Sequence, residues 1–86
     1  MMVIGRQIRA ARSLLRMTRA SLSKASGVPE VTIKSVELES ADPRSSTIDA
    51  ISRALHQAGI EFIDDTDSRG PGVRLRKPLP KRERRL

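Results

Sequence analysis

Between Thr18 and Glu37 the sequence TRASLSKASGVPEVTIKSVE leaves the backbone few choices, because its punctuation residues stand too close together for anything but two short helices and a tight turn. Thr18 is a good helix N-cap, since its hydroxyl can accept from the free backbone N–H groups of the first turn, and Leu22 and Ala25 then share a face. Gly27 follows the last periodic residue, where a left-handed backbone costs glycine little. Pro29 then suits a helix start, because its missing N–H would be unpaired there anyway. One helix stops and another begins within about three residues, the connection of a helix-turn-helix. In the second helix, residues 29–37, Ile33 and Val36 pack inward and leave Glu30, Thr32, Lys34 and Ser35 on the outer side.

The flanking segments read as supports for this pair. Ile4, Ile8, Ala11 and Leu15 recur at helical spacing and predict an amphipathic helix from Val3 to Leu15, with arginines on its other face. Met17 reads as core filler. The polar stretch ELESADPRSS is a loop. Ser46 with Asp49 then has the pattern of a capping box ahead of Ile48, Ile51, Leu55 and Ala58, a fourth helix ended by Gly59. Ile60–Ile63 and Val73–Leu75 have the composition of two short strands, separated by an acidic loop. The last stretch, RKPLPKRERRL, holds two prolines and too little apolar content to pack, which predicts a disordered tail. The expected division is therefore a helical domain over 1–59, a strand pair over 60–76, and a basic tail over 77–86.

These residues together resemble the Xre family of helix-turn-helix regulators, the group of the lambdoid phage repressors and Cro proteins. Ile8 to Leu15, Met17-Thr18, the Leu22…Ala25…Gly27-Val28 run, Ile33…Val36-Glu37 and the Pro43 to Leu55 segment carry the resemblance, which spans residues 4–58. It departs from the family pattern at Arg19, where a glutamine is common, and at Leu38-Glu39-Ser40, which replaces the usual Asn-Gly. The resemblance implies an all-α core of four to five helices in a lambda-repressor-like arrangement, here followed by a C-terminal β-hairpin and the basic tail. It implies that Arg12 pairs with Glu37 and also reaches a DNA phosphate. It further implies that Thr18, Arg19, Lys24, Arg44, Ser45 and Ser46 lie along the DNA backbone. Base readout would fall to Glu30, Val31, Thr32, Lys34 and Ser35, with Val31 near a thymine methyl.

Charge supports the same partner. The formal net charge of +7 is unevenly spread: residues 1–24 hold six bases and no acid, residues 25–68 hold three bases and nine acids, and residues 69–86 hold eight bases against Glu83. Basic ends around an acidic middle suit one DNA-facing surface with the acids turned away. Phe62 is the sole aromatic, which argues against recognition of single strands or RNA by stacking. With no cysteine and only His56, the chain offers no nucleophile pair or metal cluster, so neither an enzyme nor a cofactor is expected. No apolar run approaches the roughly 20 residues of a membrane span, which leads to a cytoplasmic protein with no membrane partner. The expected function is a sequence-specific regulator of transcription, a repressor or activator, that binds a palindromic duplex site as a homodimer. In the competing reading the chain is an antitoxin-like or adaptor module whose tail folds on an acidic protein. Because two four-residue strands are unstable alone, Ile60, Phe62, Val73 and Leu75 are expected to form the dimer interface, with packing onto the same monomer's first and fourth helices as the alternative.

Overall fold

The computed structural model describes residues 2–84, so Met1, Arg85 and Leu86, the last two within the predicted tail, lie outside the described residues. Four α-helices come first, α1 (Gly5–Leu15), α2 (Arg19–Ser26), α3 (Glu30–Glu37) and α4 (Ser45–Gln57). They are followed by strands β1 (Ile60–Ile63) and β2 (Gly72–Leu75) and a 3₁₀ turn at Lys81–Glu83. Ile8, Leu22, Ile33, Ile51, Leu55 and Ile60 have no exposed surface and form the centre, one or two from each helix and one from β1. Among the described residues no helix is long and apolar enough to cross a membrane.

The turn chemistry of the central pair acts as its sequence implies. Thr18 Oγ1 accepts from the Ser21 N–H at 3.0 Å, and Gly27 closes α2 with φ at +76° while its own N–H donates to the Ser23 carbonyl at 2.9 Å. Pro29 is the N-cap rather than the first helical residue, its ψ of 145° being extended, so α3 begins at Glu30. Ala25 is exposed, not part of the core. Val28, 8% exposed, fills that place from the turn.

Boundaries differ at both flanking helices. α1 starts two residues later than its apolar stripe suggests, because Ile4 is extended and its N–H donates to the Gln7 side chain at 2.9 Å. At α4 the expected capping box does not form. Arg44 is the N-cap, no side chain caps the helix, and Ser46 lies inside the first turn. Ala58 is exposed after the helix end, and Ala54 takes the buried position.

The two strands pair antiparallel, with Ile60 opposite Leu75 and Phe62 opposite Val73. For Ile60 this corrects the expected dimer interface, and the hairpin adopts the alternative packing onto its own monomer. Ile60 is fully buried within its own domain, and Phe62, Val73 and Leu75 pack against the same core, with the hairpin lying on α1 and α4. The helical core has an open side that these four residues close, Ile60 completely and Phe62, Val73 and Leu75 with part of their surface still exposed. On the opposite sheet face Arg74 donates to Glu61 at 3.0 Å. The buried Gln7 side chain fastens the hairpin to α1, its Nε2 donating to the carbonyls of Ile63 at 3.2 Å and Gly72 at 3.0 Å. The predicted disordered tail carries local order: Lys81–Glu83 turn once, and Arg84 Nε donates to the Leu79 carbonyl at 2.7 Å.

Candidate nucleic-acid interface

Glu37, the last residue of α3, fixes how that helix sits. Its side chain has no exposed surface, which for a carboxylate demands compensation. Arg12 supplies a two-point fork from α1, Nε to Oε2 at 2.6 Å and Nη2 to Oε1 at 2.9 Å. Arg19, the first residue of α2, adds Nε to Oε1 at 3.1 Å. Burial works to raise the Glu37 carboxyl, but the hydrogen bonds and charges of Arg12 and Arg19 prevail and hold it below the ordinary 4.5. The Arg12 guanidinium is raised above its usual value, first by the hydrogen bond to Glu37. Three helices thus meet at one ionised group.

That arrangement bears on two expected roles. Arg12 is only 16% exposed in its side chain and also donates Nη1 to the Met17 carbonyl at 3.0 Å, so three of its five N–H donors hold the domain together. Arg19 bonds Glu37 through Nε, which the resemblance did not imply, yet 33% of its side chain remains exposed.

A second close contact seats the other side of α3. A Cβ built on Gly5 would stand 2.0 Å from the Val36 carbonyl oxygen and 2.9 Å from Glu39 Cγ, so only glycine lets α1 cross the end of α3 this closely. Glu39 takes the left-handed conformation just past α3, φ 55°, and its carboxylate lies 3.3 Å from Arg6 Nε. Neither Gly5 nor Gln7 was legible as a site residue. The available signals were a glycine inside a helical stripe and a glutamine at the third position of that helix.

With its inner side so held, α3 turns the remaining side chains outward. Glu30 and Lys34 are exposed, Val31 is 74% exposed, and Thr32 and Ser35 are half-buried. Ser35 Oγ lies 3.0 Å from Ser40 Oγ, a pairing that orients it. Lys24 is exposed in the last turn of α2, and Thr18 is exposed with its hydroxyl engaged in capping. Arg44, Ser45 and Ser46 are exposed at the start of α4. That start lacks a side-chain cap, so its first N–H groups have no intrahelical acceptor. The acids are not all turned away from this region, as charge patterning suggested. Glu39, Asp42 and Asp49 line a groove of about 650 Å³ between residues 2–5 and the start of α4.

The chain matches no protein-family model and has no significant match among curated proteins.

Proposed function

We propose that this protein is a sequence-specific regulator that binds double-stranded DNA by laying α3 in the major groove, as in lambda-repressor-like domains. The observation that carries the reading is the outward face of α3: a 74% exposed Val31 between exposed Glu30 and Lys34, on a helix whose other side is fixed by Glu37 and Gly5. A large exposed β-branched residue on a rigid helix costs solvation, and a thymine methyl is a partner of matching chemistry in the major groove. Glu30, Thr32, Lys34 and Ser35 supply donors and acceptors for base edges around it. Arg19 and Lys24 on one side, and Arg44, Ser45 and Ser46 on the other, hold the phosphate backbones, the last two through the uncapped N–H groups of α4. Thr18 contributes by capping α2 and so placing Arg19.

One such helix covers few base pairs, and the proposal includes two copies acting on a palindromic site in the cytoplasm. Selection of bound fragments from random genomic DNA tests the reading. The expected result is enrichment of one defined inverted repeat, and a Val31→Ser variant that folds normally should lose preference for thymine at one position of each half. Recovery of fragments with no shared sequence would overturn sequence-specific recognition and favour the protein-binding alternative.

A further inference from the structure

The basic tail leaves the domain at the opposite end of α4 from the phosphate contacts proposed for Ser45 and Ser46. The Arg76 N–H donates to the Gly59 carbonyl at 2.8 Å, and Gly59 directly follows α4, so the chain departs beside the C-terminal end of that helix. The proposed phosphate contacts at Ser45 and Ser46 belong to its other end. Thirteen residues at 1.5 Å each separate the two by about 20 Å. Beyond that point Arg76, Lys77, Lys81, Arg82 and Arg84 are all exposed, and Glu83 alone opposes them. Among the described residues none of these five cations takes part in an ion pair. Pro78 and Pro80 stiffen the chain that carries them into an extended form, and the turn at Lys81–Glu83 gathers three of the charges at its end.

We propose that this tail is a second, sequence-independent binding element for double-stranded DNA, and that it engages a duplex segment other than the one held by α3. The inference rests on the DNA-reading function proposed above and adds a bridging activity to it. Lysine and arginine side chains on an extended chain match phosphate charge without base contacts, and release of condensed counterions drives such binding. The tail holds no aromatic residue, so it lacks the stacking platforms that single strands require. The duplex backbone is therefore the polyanion that it fits.

A capture experiment separates this proposal from the reading beneath it. Beads carrying a duplex with the selected inverted repeat are saturated with full-length protein, washed, and offered a fluorescent duplex of unrelated sequence. The wild type should retain the second duplex. A full-length variant combining Lys77→Gln, Lys81→Gln, Arg82→Gln and Arg84→Gln should occupy the beads as the wild type does, yet retain no more fluorescence than beads without protein. All four side chains are exposed, and the Arg84 hydrogen bond goes to the Leu79 carbonyl within the tail, so the variant keeps its core. Wild-type protein that occupies the beads without retaining the second duplex overturns the proposal, as does a variant that retains it equally. If neither protein occupies the beads, the DNA-reading function itself fails and takes the bridging activity with it.

Discussion

A carboxylate with no exposed side-chain surface, held by two guanidinium groups, is stable only while its partners remain. Arg12→Ala removes the two-point fork and leaves Glu37 with Arg19 alone, so it should cost about 3–5 kcal/mol, the usual range when one partner of a buried pair is removed. Arg19→Ala should cost less, because that side chain is one-third exposed and provides a single hydrogen bond. Denaturant titration at neutral pH measures both. The pH dependence has a definite sign. Glu37 sits below the ordinary 4.5 when folded, so its contribution is fully present above about 4.5 and is lost as pH falls through the lower folded value. The stability gap between wild type and Glu37→Gln should therefore be constant above 4.5 and shrink below it. A gap independent of pH would mean that Glu37 is not ionised in the fold. Backbone geometry makes a complementary pair of predictions. Gly5→Ala forces a Cβ onto the Val36 carbonyl and should destabilise by at least about 1–3 kcal/mol, as overpacking does. Arg16, left-handed at φ 53° after α1, should gain about 0.5–1 kcal/mol on replacement by glycine, the relief of strain being partly offset by glycine's greater freedom when unfolded.

At the scale of elements, α3 separates stability from recognition. Ile33 has no exposed surface, and Ile33→Ala should destabilise by about 2–5 kcal/mol. Thr32→Ala and Ser35→Ala touch the outer side and should shift the preferred DNA site with little change in Tm, as read by selection and thermal melting. An unchanged preference in both would place the reading surface elsewhere. The same helix shows what the sequence could reveal. Thr18, Gly27 and Pro29 punctuate the chain by local backbone chemistry, so both helices of the turn were legible to within a residue. The Arg12–Glu37 pair was legible only through resemblance, since 25 residues of sequence separate its members. Arg19 on Glu37, Gly5 against Val36 and Gln7 on the hairpin were not legible, because each depends on the angle at which elements meet rather than on periodicity within one. The false capping box at Ser46 has the converse cause. The local pattern was present, but the chain entered α4 two residues earlier, which put the serine inside the helix.

Taken as a whole, the molecule completes its core with the hairpin, and that changes what a mutation there reports. The six fully buried large side chains include Ile60, and Phe62, Val73 and Leu75 extend the same cluster over α1 and α4. A domain of this size has a small margin of stability, on the order of 5–10 kcal/mol, so losing one of these contacts matters to the entire fold. The strands and the face they would cover, Ile60, Phe62, Val73 and Leu75, were visible in the sequence, but what lies against that face was left between two alternatives. Helical spacing in the first and fourth helices gives no measure of how much core remains open above them. Phe62→Asp decides between a structural and an associative role. Deleting the ring should cost about 3 kcal/mol, the low end for a core aromatic because Phe62 is partly buried, and the carboxylate adds the penalty of an unpaired charge. The variant should therefore melt far below wild type at every protein concentration, and its CD spectrum should lose helix as well as strand. Addition of a duplex carrying the selected site should restore little of either. A variant with wild-type Tm and helix content that sediments at half the wild-type mass would instead assign Phe62 to an interface between copies and overturn the packing of the hairpin on its own domain.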